Sequence, residues 1–352
     1  MKSDFTKKLL KWNLTDNKRL MPWKGEKDPY KIWLSEIILQ QTKVEQGLNY
    51  YNRFIKEFPT VNHLAKAPRQ KIYKLWEGLG YYTRCKNLIE TANVISNRYH
   101  GKFPSSYDEI KSLKGVGSYT AAAIASFAYN LPYAVIDGNV IRILSRYFGI
   151  TSPANTSQGK KIYTELAQSL LPKENASTYN QAIMDFGAVI CKPRNPLCGQ
   201  CVQKKECQAF QNDWVNILPV KEKKIVKKQR WFYYFIIENK NAVYIKQRKE
   251  KDIWENLFEF FLLEREHAVD KNELLNAKEI QQFLKNTKKS ITEISPNFKQ
   301  QLTHQTIHAQ FLILKLKTTS SFLKKNYLLV PKEQLNQYAF PKIITSYLQK
   351  NV

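Results

Sequence analysis

The chain has 352 residues, 43% of them apolar, with 56 Lys and Arg against 30 Asp and Glu, a formal net charge of +26. That length gives room for two or three domains, each with its own core. The charge excess calls for a polyanionic partner. With no apolar run near the ~18 residues of a membrane span and no lipidation motif, nucleic acid is favoured over a membrane surface. A merely solvated, lysine-rich surface would account for the charge but not for the motifs below.

The opening MKSDFTKKLLKW has no apolar signal region or cleavage site, and sparse cysteine usage excludes a secreted disulfide framework, so a reducing cytosol is expected. Up to about residue 213, apolar residues recur at helical spacing in Ile32–Gln41, Gln46–Glu57, Arg84–Tyr99, Tyr119–Tyr129, Val140–Phe148 and Tyr179–Ile190, which predicts an all-helical first domain. In the first of these helices Glu36 has Ile32, Trp33, Leu39 and Gln40 three and four residues away. A helix apolar nearly all round is buried, and burial raises a carboxyl pKa. A structural Glu paired to an Arg would produce the same pattern.

Leu113-Lys114-Gly115-Val116-Gly117-Ser118-Tyr119-Thr120 lies between the helical patterns Tyr107–Leu113 and Ser118–Tyr129. Helix, tight glycine turn and helix make a helix-hairpin-helix. Gly115 and Gly117 permit positive φ and close approach of a phosphate, which N–H groups at the second helix's start would hold. Such contacts fix register on a duplex and are blind to sequence. An ordinary glycine turn between helices is the plainer alternative. Next, Val135-Ile136-Asp137-Gly138-Asn139-Val140-Ile141-Arg142 runs from an apolar approach through a polar turn into an amphipathic helix. Asp137 is placed as its N-cap, where the helix start favours the ionised carboxylate and keeps its pKa low. A desolvated acid and an ionised partner are what glycosidic cleavage requires.

Cys191, Cys198, Cys201 and Cys207 follow the pattern C-x6-C-x2-C-x5-C, while Cys85 stands alone. Four thiolates could hold a structural zinc or an iron–sulfur cubane, and the wide loop, with one close pair only, leans to the cubane. Lys192, Arg194, Lys204 and Lys205 would make that loop a basic surface. Residues 214–230 are expected to form a linker lying near phosphates, because Lys221–Arg230 holds six cations and one acid without helical or strand period. Beyond it, Trp231–Ile237, Ala242–Gln247, Phe311–Lys317 and Tyr327–Val330 are strand-like, and Lys271–Leu284 and Lys332–Tyr338 helical, so residues 231–352 predict a smaller α/β domain.

The chain resembles the MutY family of adenine DNA glycosylases, in the helix-hairpin-helix superfamily that also holds endonuclease III. The resemblance runs from about Leu20 to the C-terminus, through Pro22-Trp23, Asp28-Pro29-Tyr30, Trp33-Leu34-Ser35-Glu36, Leu39-Gln40-Gln41-Thr42, Gly78-Leu79-Gly80-Tyr81-Tyr82, the hairpin, Asp137-Gly138-Asn139 and the four cysteines. It implies a helical catalytic domain over residues 1–213 with a four-iron, four-sulfur loop at residues 191–207, and a MutT-like (Nudix-like) domain over residues 231–352. The activity implied is removal of adenine opposite 8-oxoguanine or guanine in double-stranded DNA, by a monomer in the bacterial cytosol, associated with the nucleoid.

By position, Glu36 resembles the family's general acid and Asp137 the carboxylate that stabilises the oxocarbenium-like sugar. Asn139 looks like the neighbour of Asp137, Tyr119 like the residue over the sugar, and Gln181 like the contact to flipped adenine. Gln41 and one of Tyr81 or Tyr82 resemble the wedge that enters the base stack, and Lys114, Gly115 and Gly117 the hairpin contacts to DNA. Endonuclease III-type enzymes place a lysine where Tyr119 stands, so the resemblance implies a glycosylase that leaves an abasic site without cutting the strand. The second domain lacks the glycine, paired glutamates and arginine of a Nudix box, and is expected to bind without hydrolysing. Its lesion-reading tip best matches Leu302-Thr303-His304: Thr303 keeps a hydroxyl, His304 an imidazole, and Leu302 replaces an aromatic ring. The rivals are an endonuclease III-type glycosylase for other lesions and a noncatalytic DNA-binding iron–sulfur protein.

Overall fold

Several helix starts in this chain are fixed by short side chains at the right spacing. Asp28 accepts a hydrogen bond from Tyr30 N–H at 2.9 Å, with Pro29 in the first helical position, where proline's missing N–H costs nothing. The computed structural model describes residues 2–220, 226–284, 289–316 and 321–351. By contacts the chain divides into one unit of Met1–Lys66 and Asn87–Lys223 and a second of Ala67–Lys86 and Lys224–Val352.

Helices α1 (Lys2–Thr15), α2 (Pro29–Leu39), α3 (Val44–Glu57) and α4 (Val61–Lys66) open the first unit. Then α5 (Arg69–Trp76) belongs to the second, and the division falls within α6 (Tyr82–Arg98). The first unit resumes with α7 (Tyr107–Ser112), α8 (Ser118–Tyr129), α9 (Gly138–Phe148), α10 (Ser157–Leu170), α11 (Ala176–Val189) and the short α12 (Gln208–Gln211). The apolar stripe of α1, Phe5, Leu9 and Trp12, is buried against α9 and α11, with Trp12 edge-on to Phe186 at 4.9 Å. All of Ile32 to Ile38 in α2 is buried, as its all-round apolar pattern predicts.

In the second unit, β1 (Lys228–Asn239) is the central strand. It pairs antiparallel with β2 (Ala242–Gln247), which in turn holds the short β3 (Phe258–Glu259), and with β4 (Phe261–Arg265). The helices α13 (Lys271–Asn276) and α14 (Lys278–Leu284) follow, then β5 (Lys289–Ile294), β6 (Phe298–Gln301) and β7 (Gln305–Leu316). β7 runs parallel to β1 and antiparallel to β5 and β6. After α15 (Ser321–Asn326), β8 (Leu328–Pro331) pairs with β2, and α16 (Lys342–Asn351) closes the chain.

Several expectations shift. Part of the expected linker, residues 221–225, lies outside the described residues, and β1 already begins at Lys228. Within that strand the Arg230 guanidinium is spread bidentate over Asp252 and Glu264. The helix expected over Lys271–Leu284 breaks into two at Ala277, and Lys332–Gln337 is a 3-10 turn. At the hairpin, Gly115 has φ +77° but Gly117 has φ −84°, so a left-handed conformation is needed only at Gly115. A Cβ on Gly115 would lie 2.7 Å from Asn87 Cβ, whereas one on Gly117 meets nothing within 4 Å. Gly115→Ala is expected to cost about 2 kcal/mol from backbone conformation and crowding, and Gly117→Ala less than about 1 kcal/mol. Urea unfolding of the two variants checks the order.

Candidate active site

A cleft of about 700 Å³ in the first unit is lined by Glu36, Gln41, Tyr119, Asp137, Asn139 and Gln181. Six residues singled out in the sequence thus meet in one place, brought there by α2, α8, α9 and α11. Glu36 is 7% exposed, and burial pushes its pKa up to about 7, with the Asp137 charge adding to the rise and a hydrogen bond from the Tyr119 hydroxyl opposing it. No arginine pairs with it among the described residues, so the structural alternative for this Glu is not what is found.

Asp137 caps α9 as expected, accepting from Val140 N–H at 2.8 Å and from Asn139 Nδ2 at 2.7 Å. Its pKa, expected to be low, is instead raised: desolvation outweighs these donors and the Arg142 charge. The N-cap argument counted the helix start and omitted the cleft wall. Asn139 Oδ1 in turn accepts from Arg142, whose guanidinium also donates to the carbonyls of Cys191 and Gly187, both at 2.7 Å. Arg142 and a second group were missed in the sequence. That group is Asp185, fully buried, ion-paired to Arg19 at 2.7 Å and to Lys24 at 3.0 Å, and hydrogen-bonded by Gln181. The only available signal was an acid in the otherwise apolar segment Ala182–Phe186.

The four clustered cysteines are partly buried, and Cys191, Cys201 and Cys207 pack against the core that holds α9. Burial raises the thiol pKa of Cys198, Cys201 and Cys207, and each is raised further by neighbouring thiols of the set. Arg146 donates to Cys191 Sγ at 3.4 Å while its own carbonyl accepts from Cys207 Sγ. Four thiols close enough to repel one another as thiolates, with a guanidinium beside them, fit a site that a cationic metal centre would neutralise. Among the described residues, no group of three or more His, Cys, Asp or Glu is arranged to hold a single metal ion.

Lys114, Gly115 and Gly117 line neither this cleft nor the one below. No side chain caps the α8 start, and Lys114 pairs with Glu90. In the second unit, Tyr81, Tyr82, Leu302, Thr303 and His304 line a cleft of about 670 Å³. Leu302-Thr303-His304 is the tip of the β6–β7 hairpin, closed by Leu302 N–H to Gln305 C=O at 2.8 Å. Tyr82 is buried, its hydroxyl accepting from Gly78 N–H, while Tyr81 is 45% exposed with φ +49°. The Tyr81 hydroxyl lies 2.8 Å from Thr303 Oγ1.

The family model of the HhH-GPD superfamily base excision DNA repair proteins matches residues 34–172, and that of the NUDIX domain residues 233–350. An adenine DNA glycosylase of Buchnera aphidicola subsp. Baizongia pistaciae is 35% identical, over 92% of this chain and 89% of that one. The chain belongs to the adenine DNA glycosylase family. The adenine DNA glycosylase of Homo sapiens is 37% identical over 59% of this chain and 39% of its own. Among solved structures, a thermostable thymine-DNA glycosylase matches with TM-score 0.55 and 34% identity over 60% of this chain and 96% of that one. A non-covalent endonuclease III–DNA complex, at TM-score 0.52 and 19% identity, shares the fold over 60% of this chain and 98% of that one. The helical first domain and sheet-containing second domain are therefore those of the family, and no helix among the described residues is long and apolar enough to cross a membrane.

A raised acid carries a stability cost of definite sign. With a folded pKa of about 7 against an ordinary 4.5, the folded state keeps a proton that the unfolded chain has lost, so stability falls as pH rises through this window. Glu36→Gln is expected to stabilise the protein at pH 8 by up to about 3 kcal/mol and much less at pH 5, read from thermal melts at the two pH values.

Proposed function

We propose that this chain hydrolyses the N-glycosidic bond of adenine mispaired with 8-oxoguanine or guanine in duplex DNA, leaving an abasic site for base excision repair. The observation that carries the chemistry is a buried carboxyl, Glu36, sharing a cleft with the capped carboxylate Asp137, burial pushing the Glu36 pKa up to about 7. Protonated at neutral pH, Glu36 gives its proton to a ring nitrogen of the flipped base and makes it a leaving group. As the bond to the sugar breaks, positive charge grows on the sugar. Asp137, oriented by Val140 N–H and Asn139, is the anion that meets it. Glu36, now a carboxylate, accepts a proton from the water that adds. Tyr119, whose hydroxyl opposes the rise of the Glu36 pKa, offers no amine for an imine, which supports a monofunctional enzyme.

Flipping a stacked base costs a few kcal/mol. Gln41 and Tyr81 are suited to offset it: both are exposed, and both are non-glycine residues held at positive φ, 56° and 49°. Thr303 and His304 at the hairpin tip are assigned to the damaged base, with Tyr82 as backing and the hairpin residues Lys114, Gly115 and Gly117 on the DNA backbone. Cys191, Cys198, Cys201 and Cys207 would hold the four-iron, four-sulfur cluster, whose contribution is to tie the loop together. Analysis of the purified protein should find about four iron and four sulfide per chain, and a single zinc instead would overturn the cluster assignment.

A second activity class, excision of thymine from a mismatch, is favoured by the 34% identity to a thymine-DNA glycosylase. That protein corresponds to only 60% of this chain, and the NUDIX-matching part argues for a base-pair partner to be read as well. Single-turnover assays on duplexes with A opposite 8-oxoguanine, A opposite G, T opposite G, or thymine glycol, developed with and without alkali, decide among them. The expected result is strand breakage at adenine only after alkali, fastest opposite 8-oxoguanine. The rate should fall as pH rises above about 7, where Glu36 loses its proton, and Glu36→Gln should lower it by about 100-fold or more. Release of thymine in preference to adenine, or cleavage at thymine glycol without alkali, would sink the proposal.

A further inference from the structure

The mechanism above leaves a fully buried ionic group beside the cleft unused. Asp185, on α11, is ringed by donors: Arg19 Nη1 on Oδ1 at 2.7 Å, Lys24 Nζ on Oδ2 at 3.0 Å and Asn17 Nδ2 on Oδ2 at 2.9 Å. The fourth donor is Gln181 Nε2, one helical turn back, on Oδ1 at 2.9 Å. An ion-paired carboxylate offers lone pairs and nothing else. Turning the Gln181 amide over would set its Oε1 against that carboxylate, so the amide is locked with Nε2 inward, and Oε1 is the end left for the cleft that Gln181 shares with Glu36.

We infer that Asp185 is a positioning residue that fixes the Gln181 amide so that the cleft presents an acceptor, selecting a 6-aminopurine and rejecting a 6-oxopurine. The inference rests on the cleft being the pocket for a flipped purine, as proposed above. Adenine carries an N–H donor at position 6, where guanine and hypoxanthine carry a carbonyl acceptor. A lone carboxamide free to rotate would serve both. Discrimination therefore comes from what orients it, and sites built around a buried polar partner discriminate far better than shape alone. The cations have a clear part too: Arg19 and Lys24 neutralise Asp185, which has no access to solvent.

The test compares single-turnover release of adenine and of hypoxanthine, each opposite 8-oxoguanine, in three proteins. Wild type must release adenine; if it does not, the pocket assignment itself fails and the inference falls with it. Arg19→Met keeps Asp185 against Gln181 and should keep the wild-type adenine-to-hypoxanthine ratio. In the double variant Arg19→Met, Asp185→Asn, the new amide turns its oxygen to Lys24 and Asn17 and its Nδ2 to Gln181. Gln181 must then turn its own amide over and present a donor. The ratio should fall by about tenfold or more. If that variant does not melt cooperatively, Asp185→Ala, which releases Gln181 together with Arg19, Lys24 and Asn17, should bring the ratio down in the same direction. An unchanged ratio with both rates lowered together would make Asp185 a structural residue and overturn the inference.

Discussion

Keeping the Glu36 carboxyl away from water is the constraint on which the rest of the first unit depends. It is met by packing α2, apolar on nearly every face, against α8, whose Ala121–Ala125 run lets two helices approach closely. Desolvation alone would make Glu36 an inert neutral acid. What makes it useful is that one side of its surroundings stays polar, with the Tyr119 hydroxyl on the carboxylate and Asp137 across the cleft. Each neighbour has a cost: Tyr119 is itself pushed well above the ordinary phenol range by burial and by both carboxylates. Three titratable groups therefore face one cleft, an arrangement that costs stability a purely structural core would keep.

The two carboxylates are raised together, yet they differ in company. Asp137 has a backbone N–H and an amide on it, and a guanidinium close behind; Glu36 has one phenol. That asymmetry in donors, the helix start among them, gives the two carboxylates different surroundings, as the proposed division of labour requires. The Asp137 side is also braced from below, because Arg142 joins Asn139 to the carbonyl of Cys191, the first cysteine of the loop. The same helix, α9, reaches the thiols again through Arg146 one turn on. Loop order and carboxylate orientation thus share one rigid element.

Much of this was legible in the chain. The six helical segments named from periodicity all appear, and the motif residues of α2, α8, α9 and α11 line one cleft, because buried faces leave strong periodic signals. Helix α1 carries the same signal, with Phe5, Leu9 and Trp12 at helical spacing, although it is not among the segments predicted from periodicity. Short strands such as β3 and β6 escaped since two to four residues carry no period. The Asp137 pKa was misjudged because capping is local in sequence while desolvation is not. Asp185 and Arg142 were hard to read for the same reason: besides their near neighbours on the same helix, their partners lie 45 to 168 residues away.

The assignment of α5 to the second unit has a consequence for how the chain is made. Tyr73 receives a hydrogen bond from Asn256, Lys74 donates to the Tyr338 carbonyl, and Glu77 accepts from Phe340 N–H. The partners of this segment are thus encoded some 180 to 260 residues downstream of it. At a synthesis rate of about 5–20 residues per second, α5 leaves the ribosome on the order of ten seconds or more before the residues that bond to its Tyr73 and Lys74 exist. During that interval Tyr73, Lys74 and Glu77 lack the downstream partners that hold them in the finished protein.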